Sequence, residues 1–71
     1  MNQDVFEFVV FLINETAIKH HKTTSEVYRI MSQSGCIDDY LVQFYEVLHT
    51  MGAQALVNDI EGFLQVRGLS I

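Results

Sequence analysis

QDVFEFVVFLINETAIKHH, from Gln3 to His21, is the stretch on which the fold turns. Val5, Phe6, Val9, Val10, Leu12, Ile13 and Ala17 recur at three- and four-residue spacing, which marks one broad apolar face of a helix. The opposite stripe carries Asp4, Glu7, Asn14, Glu15 and, just beyond, Lys22. Phe11 and Ile18 interrupt that polar stripe. Their spacing puts one above the other, two turns apart. Acids stand near the start and Lys19, His20, His21 and Lys22 near the end, the order a helix dipole favours. A face this apolar needs cover, and helical stability comes mainly from such tertiary packing.

The rest of the chain supplies the covering elements. Thr23-Thr24-Ser25-Glu26 reads as a capping box, with Thr23 as N-cap and Glu26 reaching back. The helix it opens has Val27, Ile30 and Met31 on its core face and Tyr28 at the edge, and Gly35 gives it a left-handed stop. Asp38 is the expected N-cap of a third helix running to about Thr50. There Leu41, Phe44, Tyr45 and Leu48 share one stripe, Asp39, Gln43, Glu46 and Thr50 share the other, and Gly52 breaks the run. A fourth helix is expected over Ala53–Val66, with Ala53, Leu56, Val57, Ile60, Phe63 and Leu64 inward, although Leu56-Val57 also suits the start of a short strand. Gly68 ends it, and Leu69-Ser70-Ile71 forms an apolar tail. The expectation is an all-α fold, a compact bundle of about four short helices in a single domain over residues 1–71.

A chain of 71 residues has room for one core. At this size only about 60% of the unfolded surface is buried, so a staple or a partner is the usual supplement. Cys36 is the only cysteine, which excludes an intrachain disulfide and suits a reducing compartment. Hydrophobic residues make up 49% of the chain and charged ones only 18%, below the usual ~25%. Some apolar side chains are therefore expected to stay uncovered and form an interface. The net charge is −5, with Lys19, Lys22, Arg29 and Arg67 as the only lysines and arginines. That argues against direct nucleic-acid binding and in favour of a basic protein surface as partner. The apolar run Val9–Ile13 is far too short to span a bilayer and lacks the flanks of a signal peptide. A cytoplasmic protein is expected.

No catalytic, cofactor or metal constellation is complete, and an enzyme is not expected. His20 and His21 are adjacent, so on a helix they point about 100° apart and share no ligand face. They read as solvated charges at a helix C-terminus. Glu46-x-x-His49 has the spacing of half a carboxylate-bridged di-metal site, but the second copy is missing. Cys36 has no adjacent histidine to act as base, and reads as a buried structural thiol. Tyrosine favours places where an apolar body needs a wet tip, so Tyr28 and Tyr40 read as interface residues; for Tyr45 core packing is an equal alternative. The expected partner-binding residues are Phe11, Ile18, Tyr28, Asp39, Tyr40, Glu46, His49 and Thr50. For Phe11 and Ile18 the alternative is burial beneath Leu69 and Ile71.

The block from Asp39-Tyr40-Leu41 through Tyr45-Glu46-Val47-Leu48-His49-Thr50-x-Gly52, with Asp59-Ile60 and Phe63-Leu64 after it, resembles a bacterial family of small proteins known only as a domain of unknown function. Phe8-Val9-Val10-Phe11 and Glu26-Val27-Tyr28 fit the same pattern. Met51 departs from it, where glutamine is common, as does Ala53-Gln54, where charged residues are usual. Such proteins look like small partners encoded beside ADP-ribosyltransferase-like proteins, in a toxin–antitoxin manner. The resemblance implies a neutralising, antitoxin-like role toward an ADP-ribosyltransferase-like toxin; the alternative is a self-associating, homodimeric structural domain.

Overall fold

The computed structural model describes residues 1–71. Its helices are α1 (Gln3–His20), α2 (Thr24–Gln33), a π-helical segment (Cys36–Val42), the short α3 (Tyr45–Leu48) and α4 (Ala53–Val66). There is no strand, so the fold is an all-α bundle, and the Leu56-Val57 pair is helical and buried.

α1 is the central element, packing against α2, α4 and the π-helical segment. Its start is capped by Asn2, whose side chain accepts from the Val5 N–H. At its end His21 adopts a left-handed conformation, φ 54°, and the Lys22 N–H closes back onto the Ala17 carbonyl. α2 opens as expected: Thr23 Oγ1 accepts from the Glu26 N–H at 3.1 Å, and Glu26 Oε1 accepts from the Thr23 N–H at 3.4 Å. Gly35 sits at φ +85° and separates α2 from the next segment. Leu12, Val27, Met31, Cys36, Leu41, Ile60 and Leu64 form the fully enclosed centre of the core.

The third helix differs from the sequence expectation. Instead of one α-helix opened by Asp38, the chain makes a π-helical segment that starts directly after Gly35, then α3. Asp38 is exposed and caps nothing. The burial pattern explains the change of pitch. Cys36, Ile37 and Leu41 are all buried. In an α-helix residues five apart diverge by roughly 140°, whereas i→i+5 bonding brings them onto one face. Cys36 and Leu41 thus face the core together, and the register of the downstream residues shifts. Phe44, expected inside, ends up exposed.

Two further expectations for the core are corrected. Phe6 and Val10 lie on the flank of the α1 stripe and remain exposed, since the neighbouring helices are too few and too short to reach that far around. The apolar tail does not cover Phe11 and Ile18, which are 47% and 69% exposed. Ile71 packs instead against the core, with Leu69 and Ile71 lining a recess beside His20, Glu61 and Leu64.

Thr16 is enclosed on α1, and its hydroxyl has no hydrogen-bond partner. An unpaired buried hydroxyl costs about 1–3 kcal/mol. Thr16→Val keeps the shape and removes that cost, so chemical denaturation is expected to show a gain of about 1 kcal/mol. A loss of stability would mean that the hydroxyl is bonded in solution.

Candidate interaction surface

The structure places the expected partner-binding residues on several faces. Phe11 and Ile18 lie on the outward side of α1. α3 comes up beside the N-terminal half of that helix, where the Tyr45 ring meets Phe8 edge-on, with centroids 5.1 Å apart. The His49 ring stacks on Tyr45 at 4.7 Å and an interplanar angle of 17°. Glu46 is exposed at this junction. Glu46 and His49 therefore share one region with the Phe8 turn of α1, organised around Tyr45, while Ile18 stands further along the same helix, beside Lys19.

The remaining four lie elsewhere or are already engaged. Tyr28 is exposed on α2 and lines an open groove of about 280 Å³ with Met1, Phe6, Val10 and Ile37. Tyr40 is half-buried and stacks on Phe63 at 5.5 Å, and its hydroxyl donates to Asp59 Oδ2 at 3.3 Å. Burial, then the Asp59 charge, pushes the Tyr40 phenol above its ordinary pKa. Asp39 Oδ2 lies 2.7 Å from where a β-carbon on Gly35 would stand. Thr50 Oγ1 donates to the Val47 carbonyl at 2.9 Å.

Sequence reasoning missed the polar cluster at the other end of α1. Glu61 Oε2 accepts from Lys19 Nζ at 2.8 Å and lies 2.7 Å from His20 Nε2. His20 is thus half-buried against α4, not solvated as expected. The partners are far apart in sequence, and neither helix alone signals the pairing. The Lys19 hydrogen bond leads in holding the Glu61 carboxyl below its ordinary pKa, opposed by partial burial and helped by His20. A depressed carboxyl pKa stabilises the fold above the unfolded value, and that stabilisation fades as pH falls through the folded one. Stability relative to Glu61→Gln is accordingly expected to be greatest near neutrality, by no more than about 1 kcal/mol for so exposed a pair. The gap should close as pH drops from 4.5 through the lower folded value. A pH-independent gap in urea titrations would contradict this.

No three His, Cys, Asp or Glu side chains converge in the way a metal site requires. His49 of the Glu46-x-x-His49 pair lies with its ring stacked on Tyr45. Cys36 is enclosed, and desolvation pushes its thiol up to about 12, far from the range of a nucleophile. No helix is long and apolar enough to cross a membrane.

Residues 7–67 match the model of a family described as "Protein of unknown function (DUF3791)". The chain belongs to this family. The match spans α1 through α4, so it takes in both the Tyr45 region and the His20–Glu61 pair. No curated protein and no solved structure gives a significant match. Membership in the family carries no assigned activity.

Proposed function

We propose that this chain is a non-enzymatic protein-binding module, and that its partner is an ADP-ribosyltransferase-like toxin which it neutralises by occlusion. The observation that carries the binding role is the uncovered apolar surface along α1 and α2, where Phe6, Val10, Phe11, Ile18 and Tyr28 are all exposed. On a chain of 71 residues this is a large share of the big apolar side chains. Phe6, Val10 and Tyr28 line one groove and Phe11 and Ile18 stand on a separate line of α1, and apolar patches left open on a small domain mark interaction sites. The partner's class is supported by the resemblance of the Tyr45–Gly52 block and by the acidic balance, which suits a basic, nucleotide-binding cleft. The lone thiol of Cys36 fits the cytoplasm, where thiols stay reduced.

A second reading is self-association through α1, favoured by Phe11 and Ile18 standing above one another on a face nothing else covers. Two measurements separate these readings. Co-expression with the product of the adjacent gene should give a complex that co-elutes in size exclusion, and Glu46→Lys should weaken it while changing stability by less than about 0.5 kcal/mol. Failure to co-elute, with a stable dimer in light scattering at micromolar concentration, would replace the first reading by the second.

A further inference from the structure

The charges of this molecule are sorted by position, and the sorting points to a particular kind of occupant for the outward face of α1. All four lysine and arginine side chains are occupied or grouped away from Tyr45. Lys19 pairs with Glu61. Arg67 lies over the Phe63 ring, 3.5 Å from its centroid, and its Nη1 donates to the Phe63 carbonyl. Lys22 and Arg29 both act on Glu26 at the start of α2.

Around Tyr45 the situation is reversed. Burial comes first in raising its phenol above the ordinary value, and the charges that add to it are Asp4, Glu46 and Glu7. Asp4, Glu7 and Glu46 are all exposed, and none has a cationic partner; Glu7 only accepts a hydrogen bond from Gln3 Nε2 at 2.8 Å. At about 100° per residue Phe11 and Ile18 lie roughly 20° apart on α1, and Asp4 and Glu7 flank that line within about 40° on either side. The Phe11 end of this exposed apolar ridge is thus bordered by unpaired carboxylates and, on the α3 side, by Phe8 edge-on to Tyr45 and by His49 stacked on Tyr45, whereas its Ile18 end lies beside the paired Lys19.

We infer that this face docks an arginine-bearing amphipathic helix of a partner protein, which packs apolar side chains along Phe11 and Ile18 and sets its guanidinium groups against Asp4, Glu7 and Glu46. The inference rests on the binding role proposed above and adds the chemistry of what is bound. An amphipathic helix offers apolar side chains at i, i+3, i+4 and i+7, which matches an anchor pair two turns apart. Arginine suits the border better than lysine, because a planar guanidinium pairs with carboxylates in two places and also stacks on aromatic rings. A second copy of this chain is a poorer occupant, since its own arginines stand at Arg29 and Arg67, outside this ridge.

The test uses the full chain and a fluorescent synthetic helix of about 18 residues, built from leucine on one face and arginine on its borders. Anisotropy should report binding that weakens as salt rises. The double change Glu7→Lys with Glu46→Lys should weaken it by about tenfold or more, as expected where border charges are opposed. Phe11→Ser with Ile18→Ser should abolish it while circular dichroism keeps the helical signal. The control is Asp38→Lys with Asp39→Lys, two exposed acids that cap and pair with nothing, which changes the net charge equally but off this face, and it should leave affinity within about twofold. Equal weakening by the control would reduce the interaction to overall charge and overturn the site. No binding of the arginine helix would overturn it too, as would equal binding of a version carrying glutamate in place of arginine. A native partner that co-elutes unaffected by the ridge variants would refute this face while leaving the binding role standing.

Discussion

Leu41→Ala is expected to cost about 3 kcal/mol, the middle of the range for a leucine emptied out of a well-packed core. Leu41 is fully enclosed and lies on the π-helical segment, whose pitch places it on the same side as Cys36. Truncating it removes a branched side chain from the centre of the bundle and also the apolar contact that favours i→i+5 bonding there. For a chain this short, total stability is about 4–10 kcal/mol, so this single change takes a third or more of it. The urea midpoint should drop in proportion, with a nearly unchanged slope if only the folded state is weakened. A loss below about 1 kcal/mol would mean that the π-helical segment relaxes to an α-helix and refills the space, and the burial of Cys36 would then be incidental.

The second large effect is expected at Gly35. Its φ of +85° is available to glycine at little cost and to alanine only with strain. An added β-carbon would also stand 2.7 Å from Asp39 Oδ2, although that carboxylate is the end of an exposed side chain and can swing away. The backbone term therefore dominates, and Gly35→Ala should destabilise by about 1–2 kcal/mol. Gly68 provides the comparison, because it has φ +74° and open space where its β-carbon would be. If Gly35→Ala costs clearly more than Gly68→Ala, and Asp39→Ala in the same chain recovers the difference, the excess belongs to the carboxylate contact. Unchanged stability in Gly35→Ala would show that the break between α2 and the π-helical segment does not need a left-handed residue.

The elements whose ends are set by local chemistry were legible in the sequence. Thr23 and Glu26 close a box with each other, and Gly35 and Gly52 stand where helices end, so α2 and α4 derive from neighbours in the chain. The π-helical segment was not legible. Its pitch answers to the core that Cys36, Ile37 and Leu41 enter together, and the five-residue step from Cys36 to Leu41 matches neither a 3.6 nor a 2.0 period. Phe6 and Val10 depart from their expected burial for a related reason: the apolar stripe of α1 is wider than the surface that α2, α4 and the π-helical segment offer it. In the candidate site, Phe11 and Ile18 could be read from one helix because their oddity is a matter of spacing. The gathering of Asp4, Glu7 and Glu46 around Tyr45 depends on how α3 meets α1, and the His20–Glu61 contact on how α4 meets it. Periodicity within a helix carries no information about those meetings.

The enclosed thiol at Cys36 also makes the chain its own reporter of opening. With no exposed surface and an ionisation pushed up to about 12, it is silent toward alkylating reagents while the bundle is closed. It sits where α2 gives way to the π-helical segment, against the centre of the core, so only a fluctuation that parts those elements exposes it. Where closing outpaces labelling, the rate of modification then reads the equilibrium population of the open form. A bound partner that grips the closed bundle would slow the labelling in proportion to its occupancy. The same sulfur would thereby time the breathing of the free domain and count how much of it is held.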